Sequence, residues 1–305
     1  MPFVYVLISV FGHGCAQYGS LAPPLKSRRP LESLDHFTLK VADLLISVRS
    51  PHKDLIEQAR SRYKEFLSDQ TEGEYTVWVQ ETPEQFGPQR LDEPYFTRFS
   101  SEGSLRFVVS NQFTGTFDSG SNRAELRVGT ESFSMLEHFL RALCAWLCIR
   151  SDGLLFHSAA VVKDHQSYAF FGTSGSGKTT AARLSAQWKV IGDDLVVLKR
   201  IAGVWWIYGT PFNQEAYVAN LHAPVRAFFR LVKAPYLSLS PIGRSQALAE
   251  FLANTPVVTQ DPLSLRIAID LYSDILDRVP CYRLGFAIDK SFWSDLDEHL
   301  RRISR

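Results

Sequence analysis

At 305 residues the chain has room for one large or two medium domains, and 45% hydrophobic with 21% charged residues is ordinary for a soluble globular protein. Its 33 basic and 32 acidic residues leave a formal net charge of +1, which excludes a global field that would attract nucleic acid or an anionic membrane. The 8 histidines and 4 cysteines show no metal-ligand spacing, and the cysteines read as reduced thiols of a cytoplasmic protein.

The chain opens on an apolar run, residues 2–11, that looks like part of a signal peptide. No basic residue precedes it and about ten residues are too few to span a bilayer, so a buried strand or a start-site extension is expected. Residues 16–30 are rich in Gly, Pro, Ser and basic side chains and read as a linker. A strand is expected over residues 37–49. A helix follows over residues 54–67, where Leu55, Ala59, Tyr63 and Phe66 recur at helical spacing. Residues 75–80 alternate as a strand, residues 87–102 carry turn residues, and residues 105–110, 112–117 and 124–128 read as short strands of an antiparallel sheet. Residues 1–130 thus form an N-terminal α+β region with no cluster of chemistry-bearing side chains, expected to be architectural or partner-binding.

Residues 131–305 form the second region. It begins with a strongly apolar helix over residues 133–149, with Ser132 or Ser134 available as a cap. Residues 153–162 and 167–171 are strands joined by a polar turn. Then come a helix over residues 179–187, one strand over residues 190–198 carrying Asp193 and Asp194, and a strand over residues 204–208. Further on, strands are expected over residues 228–233 and 279–286, and helices over residues 243–252, 263–277 and from residue 290.

The second of the paired strands delivers G-T-S-G-S-G-K-T, residues 172–179. A strand, a G-x-x-x-x-G-K-T loop and a helix in that order point to triphosphate binding. Gly172, Gly175 and Gly177 permit dihedrals that let amides from Thr173, Ser174 and Ser176 turn toward one phosphate, at the positive end of the helix that follows. Lys178 is placed to reach the β- and γ-phosphates, Thr179 to hold Mg²⁺, and Thr180 completes the candidate phosphate site.

Asp193 and Asp194 follow Lys178 by only fifteen residues. A helix of about nine residues that returns directly to a neighbouring strand brings both carboxylates beside the loop. One can then bind Mg²⁺ while the other orients and deprotonates an attacking hydroxyl. His157 interrupts an apolar strand just ahead of the loop, where it can hydrogen-bond the transferred group or steady the catalytic acid.

His157, then G-T-S-G-S-G-K-T, then I-G-D-D-L resembles the C-terminal catalytic domain of HPr kinase/phosphorylase. Within that family it is most similar to the HPr-kinase-related proteins of peptide-modifying systems, lasso-peptide kinases included. The resemblance is specific over residues 153–215. It implies a mixed α/β fold: a P-loop kinase domain of the phosphoenolpyruvate carboxykinase-like type, with a smaller N-terminal α+β region. It also implies ATP and Mg²⁺, Asp193 as the better base and Asp194 as the better metal partner, with those roles open to exchange. The segment Y-G-T-P-F-N-Q-E looks like a substrate-side turn, which adds Glu215 and Arg226 as weak site candidates.

Two departures stand out. Thr179-Thr180 replaces the Ser-Glu usual after the lysine of the bifunctional enzymes, which weakens the case for phosphorolysis, and their arginine-glycine signature has no counterpart in G-T-P-F. HPr is therefore not the expected acceptor. The expectation is a kinase acting on a serine-type hydroxyl of a peptide or small protein. A non-catalytic ATP-binding regulatory module and a small-molecule kinase are the alternatives. The related enzymes include homo-oligomers, and the sequence fixes no number.

Overall fold

The computed structural model describes residues 34–82, 97–129, 133–213, 219–257, 260, 262–286, 288 and 291–303. The expectations for the first thirty residues, for part of the 87–102 turn, for a Ser132 cap and for Glu215 lie outside them. The described residues form two mixed sheets and six α-helices. No described helix is long and apolar enough to cross a membrane.

The first sheet has seven strands: β1 (Asp35–Val41), β2 (Leu44–Ser50), β3 (Tyr75–Glu81), β4 (Thr97–Glu102), β5 (Leu105–Ser110), β6 (Phe113–Asp118) and β7 (Arg123–Val128). The single strand expected over residues 37–49 is a hairpin, because Ala42 takes a left-handed φ of 51° and turns the chain. Strand order is β1-β2-β3-β7-β6-β5-β4. β5, β6 and β7 are antiparallel as expected, but β3 runs parallel to both β2 and β7, so the sheet is mixed. The parallel step from β2 to β3 requires a crossover. Helix α1 (Lys53–Arg62) supplies it, burying Leu55, Ile56 and Ala59, and a 3-10 turn over Lys64–Phe66 ends it.

Helix α2 (Phe133–Ile149) has the bounds that the apolar run predicts, and 11 of its 17 residues are buried, which a helix lying on one surface does not need. It packs against β6 and β7 of the first sheet and β8 (Gly153–Lys163) of the second. Phe139 seats on β6 at Gly115, where an added Cβ would come within 2.3 Å of the ring, so only glycine lets the helix approach this closely. One hydrophobic core runs from Val48 and Leu126 of the first sheet through α2 to Phe156 and Phe228 of the second.

The second sheet also holds β9 (Gln166–Phe171), β10 (Lys189–Gly192), β11 (Leu195–Ile201), β12 (Val204–Tyr208), β13 (His222–Lys233), β14 (Ser238–Pro241) and β15 (Cys281–Phe286). Its strands are covered on both faces, so adjacent residues feed different cores. Phe171 and Phe228 point toward α2, α4 (Arg244–Ala253) and α5 (Pro262–Arg278), while Phe170 and Phe229 point toward α3 (Lys178–Leu184) and α6 (Phe292–Ile303). The period of two along each strand makes this division. Cys144 and Cys148 are free and buried in α2; burial raises both thiols, Cys148 to about 12.

Candidate functional site

Three registers set the site. β8 pairs with β9 so that Ser158 lies opposite Phe171, the last residue before the glycine-rich loop. One residue earlier, His157 lies opposite Leu195, the first residue of β11 after the acidic pair. Loop, histidine and acids therefore meet at one level along β8. The His157 N–H donates to the Asn254 carbonyl at 2.8 Å, so the C-terminal end of α4 fixes the backbone there.

The loop occupies residues 172–177, between β9 and α3, and its three glycines have φ of 146°, 74° and 109° at Gly172, Gly175 and Gly177. At two of them space as well as dihedral requires glycine. A Cβ on Gly172 would stand 2.9 Å from Ser176 Oγ, and one on Gly177 would stand 2.8 Å from the Phe286 ring. The Ser176 N–H turns inward to the Thr173 carbonyl at 3.1 Å. Thr173, Ser174, Gly175 and Thr179 are exposed, and Thr180 is partly so. Lys178 is buried, and its Nζ donates to the Gly172 carbonyl at 2.8 Å and the Thr173 carbonyl at 3.3 Å, which holds the ammonium over the loop. Burial lowers its pKa and Asp194 draws it back up. α3 is shorter than the helix expected over residues 179–187. Ser185 Oγ bonds back to the Ala181 carbonyl at 2.7 Å and receives the Trp293 indole N–H at 2.9 Å, tying the helix end to α6.

The acidic pair does not sit on a strand. The strand expected over residues 190–198 is broken into β10 and β11, with Asp193 and Asp194 in the bend between them. Asn213 makes the break. Its Oδ1 accepts the N–H groups of Asp193, Asp194 and Leu195 at 3.0, 2.9 and 3.1 Å, and its Nδ2 donates to the Thr210 carbonyl at 2.7 Å. Three consecutive amides aimed at one oxygen cannot also follow a sheet ladder. The Thr210 hydroxyl closes the arrangement by donating to the Leu195 carbonyl at 2.7 Å.

Asp194 is held from both sides. Its Oδ1 lies 3.1 Å from His157 Nε2, and its Oδ2 lies 3.2 Å from Arg141 Nη1. Arg141 also meets Glu137 Oε1 at 2.8 Å, one turn earlier on α2, and donates to the Phe212 carbonyl at 3.0 Å. Burial lowers the His157 pKa, Asp194 opposes that, and Lys178 and Arg141 push in the same direction as burial. The imidazole is therefore neutral at neutral pH and stands beside the carboxylate. Asp193 is buried beside this cluster.

The first sheet also reaches the acidic bend. The Arg62 guanidinium, at the end of α1, donates to the Asn213 carbonyl, and the next residue, Tyr63, packs its ring edge-on against Phe212 at 6.4 Å. Arg141, Asn213 and Arg62 were not among the sequence candidates. For Arg141 a signal existed: an arginine inside so apolar a helix needs an anionic partner, and Glu137 four residues earlier supplies only one of two.

Arg226 does not join the cluster. It is exposed at the bulge of β13, beside Ser167 and Tyr168, whereas the loop leaves the far end of β9 beyond Phe171, on the order of 13 Å away along the strand. The oxygen donors present, Thr179 and the two aspartates, suit a hard cation such as Mg²⁺, which takes one or two carboxylates and leaves the rest to water and phosphate. No group of three His, Cys, Asp or Glu side chains that could hold a metal ion is found among the described residues.

A family model described as "SynChlorMet cassette protein ScmC" matches residues 135–301. No curated protein matches the chain. Among solved structures, the Hpr(Ser) kinase/phosphatase from Coxiella burnetii matches at 13% identity and a TM-score of 0.30, covering 49% of this chain and 97% of its own.

Proposed function

We propose, from the premise that the chain belongs to the ScmC family of SynChlorMet cassette proteins, that it is an ATP- and Mg²⁺-dependent kinase. It transfers the γ-phosphate to a serine-type hydroxyl of a peptide or small protein. The observation that carries this reading is the placement of an acidic pair and a half-buried histidine next to a glycine-rich loop and its lysine.

Each residue has a task in this reaction. Glycines of the loop admit the phosphates close to the backbone, and Lys178 neutralises their outer oxygens. Thr179 and Asp194 would hold Mg²⁺, which would supply charge neutralisation to the phosphates. Asp193 accepts the acceptor hydroxyl proton as that oxygen bonds to the γ-phosphorus, the bond from phosphorus to the β-phosphate oxygen breaks, and ADP leaves. Asp194 has both oxygens engaged by His157 and Arg141, so its charge is pinned in place; that favours Asp193 for the proton. His157, neutral and fixed from its backbone, orients the Asp194 carboxylate.

The test uses ATP labelled at the γ-phosphate, Mg²⁺ and serine-containing peptides encoded beside the gene. The expected result is labelled peptide in excess over enzyme, abolished by Lys178→Ala and reduced about a thousandfold by Asp193→Asn, as expected for loss of a general base. Transfer by Asp193→Asn at the wild-type rate would overturn the assigned chemistry.

A further inference from the structure

β13 runs parallel to both β9 and β15, with Arg230 opposite Phe171 and Lys233 opposite Phe286. Three parallel strands thus end at one rim, where ligands of α/β sheets gather beyond the carboxyl ends. The loop leaves β9 at this rim with the acidic pair on its β8 side. On its other side, toward β13 and β15, a cleft of about 420 Å³ opens, within the size range of small-ligand sites.

Gly177 and Thr180 form one wall, and Lys233, Ala234, Phe286 and Ile288 form the other. The Phe286 ring is seated directly on the loop backbone, as the 2.8 Å approach to a Cβ on Gly177 shows. Phe286 is 7% exposed and forms a floor, whereas Ile288 is 78% exposed and presents a bare aliphatic edge. Lys233 is exposed at the mouth. An apolar floor, an aliphatic edge and one cation, adjoining a phosphate loop, match a ligand that is flat and apolar at one end and anionic where it meets the loop.

We infer that this cleft takes the heteroaromatic base and ribose of the phosphate donor, with Lys233 beside the phosphate nearest the ribose. The inference rests on the proposed nucleotide reading and adds to it a direction. The donor lies across the loop from the β13–β15 side to the β8–β11 side, so its transferable phosphate points at Asp193 and its base points away from the acceptor.

Calorimetric binding of ATP and of inorganic tripolyphosphate to the full chain, each with Mg²⁺, tests it. Wild type is expected to bind ATP at least about tenfold more tightly than tripolyphosphate, because only ATP fills the cleft. Ile288→Ser, a change at an exposed side chain, is expected to weaken ATP about fivefold and leave tripolyphosphate unchanged. Equal affinities for the two ligands in wild type, or an Ile288→Ser variant that binds ATP as wild type does, overturns the cleft assignment alone. Wild type that binds neither ligand overturns the nucleotide reading together with it.

Discussion

Replacing Asn213 by alanine removes one oxygen and leaves three amides without it. Asn213 is 1% exposed, and of the three donors those of Asp193 and Leu195 are buried while that of Asp194 is partly so. A buried donor left unsatisfied costs about 1–3 kcal/mol. One shared acceptor serves all three and water can reach the outermost, so the expected loss is about 3 kcal/mol of unfolding free energy, read from urea denaturation. The loss in transfer rate is expected to exceed what unfolding explains. Freed amides let the bend relax toward a continuous strand, and a shift of about 1 Å in a catalytic group costs on the order of a hundredfold. Hydrogen exchange gives a reading that needs no activity: the amides of Asp193, Asp194 and Leu195 should lose protection selectively while those of β8 keep theirs. A variant with wild-type protection at these three amides, or with stability within about 0.5 kcal/mol of wild type, would refute the claim that Asn213 holds the bend.

Glycine-to-alanine changes in the loop should separate by position. Gly177→Ala combines a φ of 109° with a clash against Phe286 and is expected to weaken triphosphate binding more than tenfold, whereas Gly175→Ala, at a φ of 74° with nothing within 4 Å, should cost far less; titration with a fluorescent ATP analogue compares them. Stability should fall as pH drops below about 6.5: burial holds the His157 pKa below its ordinary value, so the unfolded chain takes up the proton first, and His157→Gln should flatten part of that loss in urea midpoints measured from pH 7.5 to 5. His138, also lowered by burial, accounts for a share that the variant retains. Arg62→Ala should lower kcat while leaving ATP affinity within about twofold, because Arg62 touches Asn213, which holds the acidic bend, and equal changes in both would refute that division.

What the sequence made legible were the features whose cause is local. α2 has the predicted bounds because its apolar run is unbroken, and the loop between β9 and α3 is announced by glycines that no other residue can replace at Gly172 and Gly177. The break in the strand at Asp193 was not legible, since its cause sits twenty residues later in Asn213. A pattern read over residues 190–198 sees only apolar residues on either side of two acids. The cationic partner of Asp194 was hidden for the same reason: Arg141 precedes it by 53 residues, and a helix that looks like a connector turns out to place a guanidinium in the site. The mixed pairing of the first sheet escaped because hydrophobic alternation gives strands but not their directions.

The family match begins at residue 135, two residues inside α2. What relatives share and what folds are therefore different lengths of chain. One side of that helix carries Arg141 to the acids, and another seats Phe139 on Gly115 of the first sheet, within a core common to both sheets. A fragment cut at the family boundary would keep the whole acidic cluster and expose the aromatic face that holds its helix in place. The first eighty-odd described residues thus pack against the helix that carries Arg141 to the acids.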